Sequence, residues 1–540
     1  MENDNIIKIL QKELPWDTFL SNMELEGFIK TRSPNFSQLS NIIEYKKLFL
    51  SGKAIVVNDK IQSLGLHDPS HLYLTPYILF RPKTEKQLKI IIIHAHKLKI
   101  PITFASGKTG LSGGYSNYGI TVDLADLHTF KEPFKINFKK EEIITEQSAL
   151  ISDLIKYVQY FSDGKYIFPI QPASALKLPV RLGGIISSNA SGITSGKLGS
   201  AKDWIINMRI MIPNGDILEI DRNNQLFNKV VGGNGFYGVV LSACFRLYQP
   251  NKDLERAILY GDNLTFAFNG LQKVQDFKIF PLVSEFITSP ITLPGKFSKL
   301  ALEDKNLKVN WAVIIKGTDL EVNKFIKIME NETTCYSKKI MEEEFQIYMQ
   351  ERSSFALLIQ TSEDDKNYIA FPGFEDILSQ PKYLPEIIDT INEIFTNHNF
   401  HKVIFGYGHV NFRKGKGLLL HMRLPVPIDY FYKENYEKVN EICETVYEVI
   451  NILQNRFNIK HKAEHSSGPF SIWLDPKFRG LLKEDIKRGT AFENPHLTIY
   501  NELKQITKSI KNSININHSL AEDKKKELFI KAMSLYIKGL

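Results

Sequence analysis

Two sets of residues in this chain have the types and spacing to do chemistry. The first is the run Ser106-Gly107-Lys108-Thr109-Gly110-Leu111-Ser112-Gly113-Gly114. With few Cβ atoms in the way, such a run can turn successive backbone N–H groups onto a diphosphate. Leu182–Gly192 and Gly232–Gly238 are further small-residue segments. Any one of them alone reads as well as a tight turn; three suggest a large, flat, phosphate-bearing ligand. The second set is histidine-based. His409 stands in Gly406-Tyr407-Gly408-His409-Val410, His421 in Leu419-Leu420-His421-Met422-Arg423, and Glu464-His465 precedes Ser466-Ser467-Gly468. Two imidazoles and a carboxylate can bind a divalent ion and leave positions open for substrate. A lone histidine is more often structural, and spacing by itself leaves both readings open. Neighbours in an extended segment point to opposite sides, so Glu464 and His465 have different roles unless the chain bends after them.

Three motif matches fail on context. Gly233-Asn234-Gly235-Phe236-Tyr237-Gly238 fits GxGxxG, but the β-branched run from Val239 predicts a strand where a dinucleotide fingerprint needs a helix. Gly110–Gly114 fits GxSxG without the helix of a nucleophile elbow. Ser106–Thr109 ends like a phosphate loop of ATPases but lacks its upstream glycine.

The elements that must position these residues can be read from periodicity. A strand at Tyr77–Phe80 precedes a helix that Thr84 caps and that runs to His96. Ile100–Phe104 is a strand leading straight into the first glycine run. Ile120–Leu124, Ile143–Glu146, Ile205–Pro213 and Val239–Leu247 also read as strands, and Ala149–Tyr160 and Asn435–Arg456 as helices. Strands and helices mix without a regular βαβ rhythm, which predicts an α+β fold. Ile6, Ile7 and Leu10 mark a helical arm at the start, and Glu522–Leu540 a basic amphipathic helix at the end. Gln249-Pro250 marks a boundary.

The 540 residues are 43% hydrophobic and 24% charged, which excludes disorder and leaves ample chain for a large core. A net charge of +8 is thin for this length and is no nucleic-acid footprint. Cys244, Cys335 and Cys443 form no CxxC, so an internal iron–sulfur relay is not expected. The acidic N-terminus and the short apolar run Ile90–Ile93 predict neither a signal peptide nor a transmembrane segment. A cytoplasmic protein is expected, with room for a peripheral contact at the inner membrane face.

Arg81-Pro82-Lys83-Thr84, the Gly107–Gly114 loop, Gly183–Gly192, Gly199-Ser200-Ala201-Lys202-Asp203-Trp204 and Gly235–Val240 stand in a specific order. That order resembles the vanillyl-alcohol-oxidase / p-cresol-methylhydroxylase flavoproteins, in their D-2-hydroxyacid dehydrogenase branch (D-lactate, D-2-hydroxyglutarate and glycolate enzymes). The resemblance is strong over residues 70–250 and moderate over 400–490. It implies an N-terminal arm (1–70), a two-subdomain FAD-binding domain (71–250), an α+β substrate or cap domain (251–400) and a C-terminal catalytic and helical segment (401–540). By the same carry-over, the FAD diphosphate lies on Ser106, Gly107, Lys108, Thr109, Gly110, Leu111 and Ser112. Pro172, Ala173, Ser174, Gly183, Gly184, Ser188 and Asn189 would lie near the flavin, and Val239 and Val240 near the adenine. The loop carries Lys108 and Thr109 where a linking His, Cys or Tyr would stand, so noncovalent FAD is expected. Where relatives have Ser-Glu-Gly, this chain has Gly233-Asn234-Gly235.

The resemblance further implies His409, His421 and Glu464 as ligands of a divalent metal, Zn²⁺ or Mn²⁺, with His465 as the base. Arg352 would hold the substrate carboxylate, although a solvated helix charge is an equal reading. One departure matters. The two histidines are twelve apart where the family has seven, with the basic Asn411–Gly417 between them; either a longer hairpin returns His421 to its place or the metal site is remodelled. The implied activity is oxidation of a small D-2-hydroxy acid to the 2-oxo acid. Electrons would pass to a quinone, cytochrome or electron-transfer flavoprotein. The rivals are a metal-independent flavin oxidase, a non-redox flavoenzyme, or a silent flavin-binding subunit.

Overall fold

Ile102-Thr103-Phe104-Ala105 and Ile120-Thr121-Val122-Asp123 are largely apolar or β-branched and are buried almost throughout, as suits strands covered on both faces. They are β2 and β3 of the structure, a computed structural model that describes residues 78–501. Within that range 111–112, 289–308, 359–367, 372–376, 401–404, 412–416, 428–435, 462–471, 473–475 and a few single positions are not described. The N-terminal helical arm, the C-terminal basic helix, Leu111, Ser112, Glu464 and His465 therefore lie outside the described residues.

The first sheet has the order β1 (Ile78–Phe80), β3, β2, all parallel. Helix α1 (Glu85–Lys97) lays Leu88, Ile91, Ile92 and Ala95 on it, an i, i+3, i+4, i+7 stripe. The second sheet is antiparallel, in the order β4 (Phe134–Asn137), β5 (Glu142–Glu146), β8 (Val239–Arg246), β6 (Ile205–Met211), β7 (Ile217–Asp221). Met211, Val239 and Leu241 reach from it into the core of the first sheet, so the two subdomains share one apolar seam. Helix α2 (Ile151–Phe161) buries Leu154 and Val158 in a separate core with Ile143, Ile210 and Phe245 of the second sheet.

Residues 182–188 correct the sequence reading. Leu182–Ser188 is a helix, α3, and not a glycine-rich loop. Leu182, Ile185 and Ile186 are buried at helical spacing, and that burial outweighs the poor helix propensity of Gly183 and Gly184.

The third sheet has nine strands. Its path is β12 (Tyr336–Lys339), β9 (Glu255–Gly261), β11 (Trp311–Gly317), β10 (Val283–Thr288), β15 (Phe405–Asn411), β16 (Gly417–Pro427), β14 (Ile377–Ser379), β17 (Lys460–His461), with β13 (Tyr368–Phe371) beside β16. The strand path crosses residue 400, so segments 251–400 and 401–540 build one sheet. Period-2 alternation sorts its residues. Leu259, Val313, Phe286 and Leu420 pack with the helices α4 (Leu264–Asp276) and α5 (Asp319–Glu332) on one face. Ile258, Ile314, Ile287 and Tyr407 share the other face with α6 (Glu342–Leu358). The chain then returns to the first domain. Ile102 N–H donates to the Glu493 carbonyl (3.1 Å), and the Phe492 and Phe104 rings meet edge to face at 5.0 Å.

Candidate active site

A long cleft runs between the first two sheets and the second face of the third. One end is the glycine run. Ser106, Gly107, Lys108, Thr109 and Gly110 line it, as do Pro172, Ala173, Ser174, Gly183, Gly184, Ser188, Val239 and Val240. Asn189 does not. It caps α3 in the left-handed region (φ 50°), and its Oδ1 accepts from Lys202 N–H at 2.9 Å. The loop has built-in restraints. Lys108, itself at φ 55°, donates to Asp123 Oδ2 (2.9 Å), which Arg81 Nε also reaches (3.1 Å). Asp123 is buried, so this carboxylate anchors the loop to β3 and leaves Lys108 little reach for a ligand. Gly107 is required for close approach: a Cβ there would stand 2.3 Å from the Pro179 carbonyl oxygen.

The three small-residue segments meet. Asn234 N–H donates to the Ser187 carbonyl (2.9 Å) and Gly232 N–H to that of Ile186 (3.0 Å). Two observations show a cradle that fits FAD. Ser106 Oγ is buried with no hydrogen-bond partner among the described residues. Among the described residues a Cβ on Gly184 would find only the Ser106 Cβ, at 4.0 Å, so they leave the helix side turned to the cleft bare. His496, fully buried, hydrogen-bonds the backbone of Gly114 behind the loop; burial pushes its imidazole down to about 3. Burial likewise pushes the thiols of Cys244 and Cys335 up to about 11 and about 12, which keeps them protonated and unreactive.

The other end of the cleft is polar and belongs to the third sheet. Glu285 of β10 pairs in register with His409 of β15, and Tyr407 with His421 of β16, so all four side chains share one face. Glu285 is completely buried. One of its oxygens meets His409 Nδ1, and the other accepts from Arg352 Nε at 2.9 Å. The Arg352 guanidinium lies over the Tyr407 ring, 4.1 Å from its centroid. The rings of His409 and His421 are 5.4 Å apart, edge to face. Arg352 is 4% exposed, which overturns the solvated-charge alternative. The hairpin does return His421 beside His409, despite the longer spacing between them. Gly196 seats this strand on the first domain: a Cβ there would lie 2.5 Å from the Val410 carbonyl oxygen.

Sequence reasoning missed Glu285 and Tyr407. A signal existed for the first, since a carboxylate in the otherwise apolar or hydroxylic Val283–Thr288 strand must find a cationic partner if buried. The implied metal set is not assembled among the described residues. No group of three His, Cys, Asp or Glu side chains there is placed to hold an ion, and Glu464, the third implied ligand, lies outside them.

Comparison with known proteins agrees with this architecture. Residues 76–221 match the FAD binding domain family. The chain is 25% identical over 230 residues to a D-2-hydroxyglutarate dehydrogenase of Stutzerimonas stutzeri (strain A1501), covering 40% of this chain and 47% of that one. It is 25% identical over 250 residues to the mitochondrial D-lactate dehydrogenase [cytochrome] 1 of Saccharomyces cerevisiae, covering 43% and 41%. It therefore spans about half the length of the curated relatives it matches. Among solved structures, p-cresol methylhydroxylase with substrate bound superposes with a TM-score of 0.58 at 12% identity, over 82% of this chain and 93% of that one. Chitooligosaccharide oxidase gives 0.56 at 14% identity, over 82% and 96%. The fold is the α+β FAD-binding fold of the vanillyl-alcohol-oxidase and p-cresol-methylhydroxylase type.

Proposed function

From an FAD-binding domain joined to a buried Arg–Glu–His cluster, we propose that this chain is an FAD-dependent oxidoreductase acting on a small D-2-hydroxy acid. The observation that carries the reading is the position of Arg352, His409 and His421 in the same cleft as the flavin cradle. Bound FAD supplies the two-electron acceptor for the hydride leaving Cα. Arg352 holds Glu285 through Nε, so its Nη end is the part that takes the substrate carboxylate. Glu285 and Tyr407 fix that guanidinium, which orients Cα–H before any chemistry occurs. His465 accepts the hydroxyl proton, imidazole being a competent base near neutral pH. FAD is held noncovalently. The resulting 2-oxo acid leaves, and a quinone, cytochrome or electron-transfer flavoprotein takes the electrons.

His409, His421 and Glu464 would hold a divalent ion, Zn²⁺ or Mn²⁺, in this reading. The carboxylate on His409 Nδ1 supports it, because a metal-binding histidine usually orients its second nitrogen on such a partner. The ion would polarise the substrate hydroxyl. Anaerobic mixing with a panel of D- and L-2-hydroxy acids tests the function: D-acids should bleach the flavin and L-acids should not. A flavin that no hydroxy acid reduces would end this reading. Chelation should stop the bleaching while leaving the oxidised spectrum unchanged; full activity after verified metal removal removes the ion from the mechanism.

A further inference from the structure

A second cavity lies behind the cleft, across the 3-10 turn Ala173–Leu176, and the two share Pro172 and Ala173 in their walls. Helix α6 spans both. Phe345 and Met349 line the second cavity, and Arg352 lines the cleft. The three residues stand at i, i+4 and i+7, on one helix face. The charge of this cavity is lopsided. Lys156, Lys165, Lys252, Arg256 and Lys316 line it against Asp163 and Glu342. At its floor one carboxylate answers two cations: Glu342 Oε2 lies 2.5 Å from Arg256 Nε and 3.0 Å from Lys316 Nζ. Lys316 is largely buried, with its ammonium 5.2 Å from the centre of the Phe345 ring. Burial lowers its affinity for a proton, and Glu342 opposes that. The rim lysines Lys156, Lys165 and Lys252 are exposed and outnumber Asp163. Nothing in the flavin chemistry uses these groups.

We propose that this cavity is an anion antechamber, whose field draws the carboxylate of the hydroxy acid to the α6 side of the molecule, beside the cleft that holds Arg352. Its low-dielectric walls concentrate the field of the excess lysines on an approaching anion, and that raises the encounter rate without touching the chemical step. The inference rests on the hydroxy-acid reading above. It also adds to it, since it requires that substrate arrive as an anion from the α6 side.

The test is anaerobic stopped-flow reduction of the flavin in the full-length holoenzyme by D-lactate and D-2-hydroxyglutarate across a range of KCl concentrations. Lys165→Glu/Lys252→Glu should lower the second-order rate constant by about threefold or more at low salt. It should also flatten the salt dependence and leave the limiting rate at saturating substrate unchanged. Lys135→Glu/Lys139→Glu, the same charge change on and beside β4, is the control and should do neither. Equal second-order rates in parent and cavity variant overturn the proposal. So does an equal loss in the control, which would make the effect one of net charge. If no hydroxy acid reduces the parent's flavin, the functional reading fails first, and this failure is distinct from the other two.

Discussion

At the residue scale, the Ser106 hydroxyl and the Glu285 carboxylate are the two groups whose removal is most diagnostic. Ser106 Oγ is buried without a partner among the described residues, so Ser106→Ala removes a desolvated group that those residues do not satisfy. The flavin-free variant should be as stable as the parent or more so, while its FAD dissociation constant rises by about 2- to 13-fold, the scale of one lost hydrogen bond. Unchanged FAD affinity in a fluorescence titration would place the hydroxyl away from the cofactor. Glu285→Gln leaves the buried Arg352 without its counter-ion and should cost about 3–5 kcal/mol of stability by denaturant titration. The double variant Glu285→Gln/Arg352→Met removes both charges and should recover most of that stability. Flavin reduction should stay lost in the double variant, which separates the pair's structural role from its functional one.

At the scale of elements, helix α3 and the glycine run act as a cradle because one lacks side chains where the other approaches. Gly184 presents open space toward the cleft, so Gly184→Phe fills the cleft beside the glycine run with little strain on the fold. Colourless, folded protein is the expected product, seen as a near-parental circular dichroism spectrum with no flavin absorbance. Retention of stoichiometric FAD would show that α3 does not border it. Gly107→Ala acts differently. Its Cβ would collide with the Pro179 backbone, so the loop must shift, and both FAD affinity and stability should fall.

At the scale of the molecule, the chain closes on itself: residues 492–496, beyond the third sheet, return to brace the glycine run of the first domain. His496 is the titratable part of that brace. Its folded value of about 3 lies below the ordinary 6.5, so the unfolded chain takes up a proton first. Stability attributable to His496 is complete above about pH 6.5 and is lost as pH falls toward 3, at up to about 1.4 kcal/mol per pH unit. Thermal midpoints measured from pH 7.5 to 5 should therefore fall more steeply for the parent than for His496→Gln. Parallel curves would mean that the imidazole is not the titrating brace.

The amino-acid sequence by itself marked the residues that line the glycine-rich end of the cleft and most strands of the first two sheets. Backbone access depends on which residues lack a Cβ, and strands such as Ile120–Asp123 declare themselves by local composition. It also carried enough motif order to indicate FAD. It misjudged 182–188, where small residues suggested a loop and tertiary burial of Leu182, Ile185 and Ile186 made a helix. Tertiary structure alone decided the chemistry of the polar end. The sequence leaves Arg352 undecided between solvent and site, and only packing of α6 against the third sheet buries it on Glu285, 67 residues away. His409 meets the same carboxylate across 124 residues of chain. Strand register between β10, β15 and β16 makes those meetings, and register is a property of paired strands that no single segment specifies.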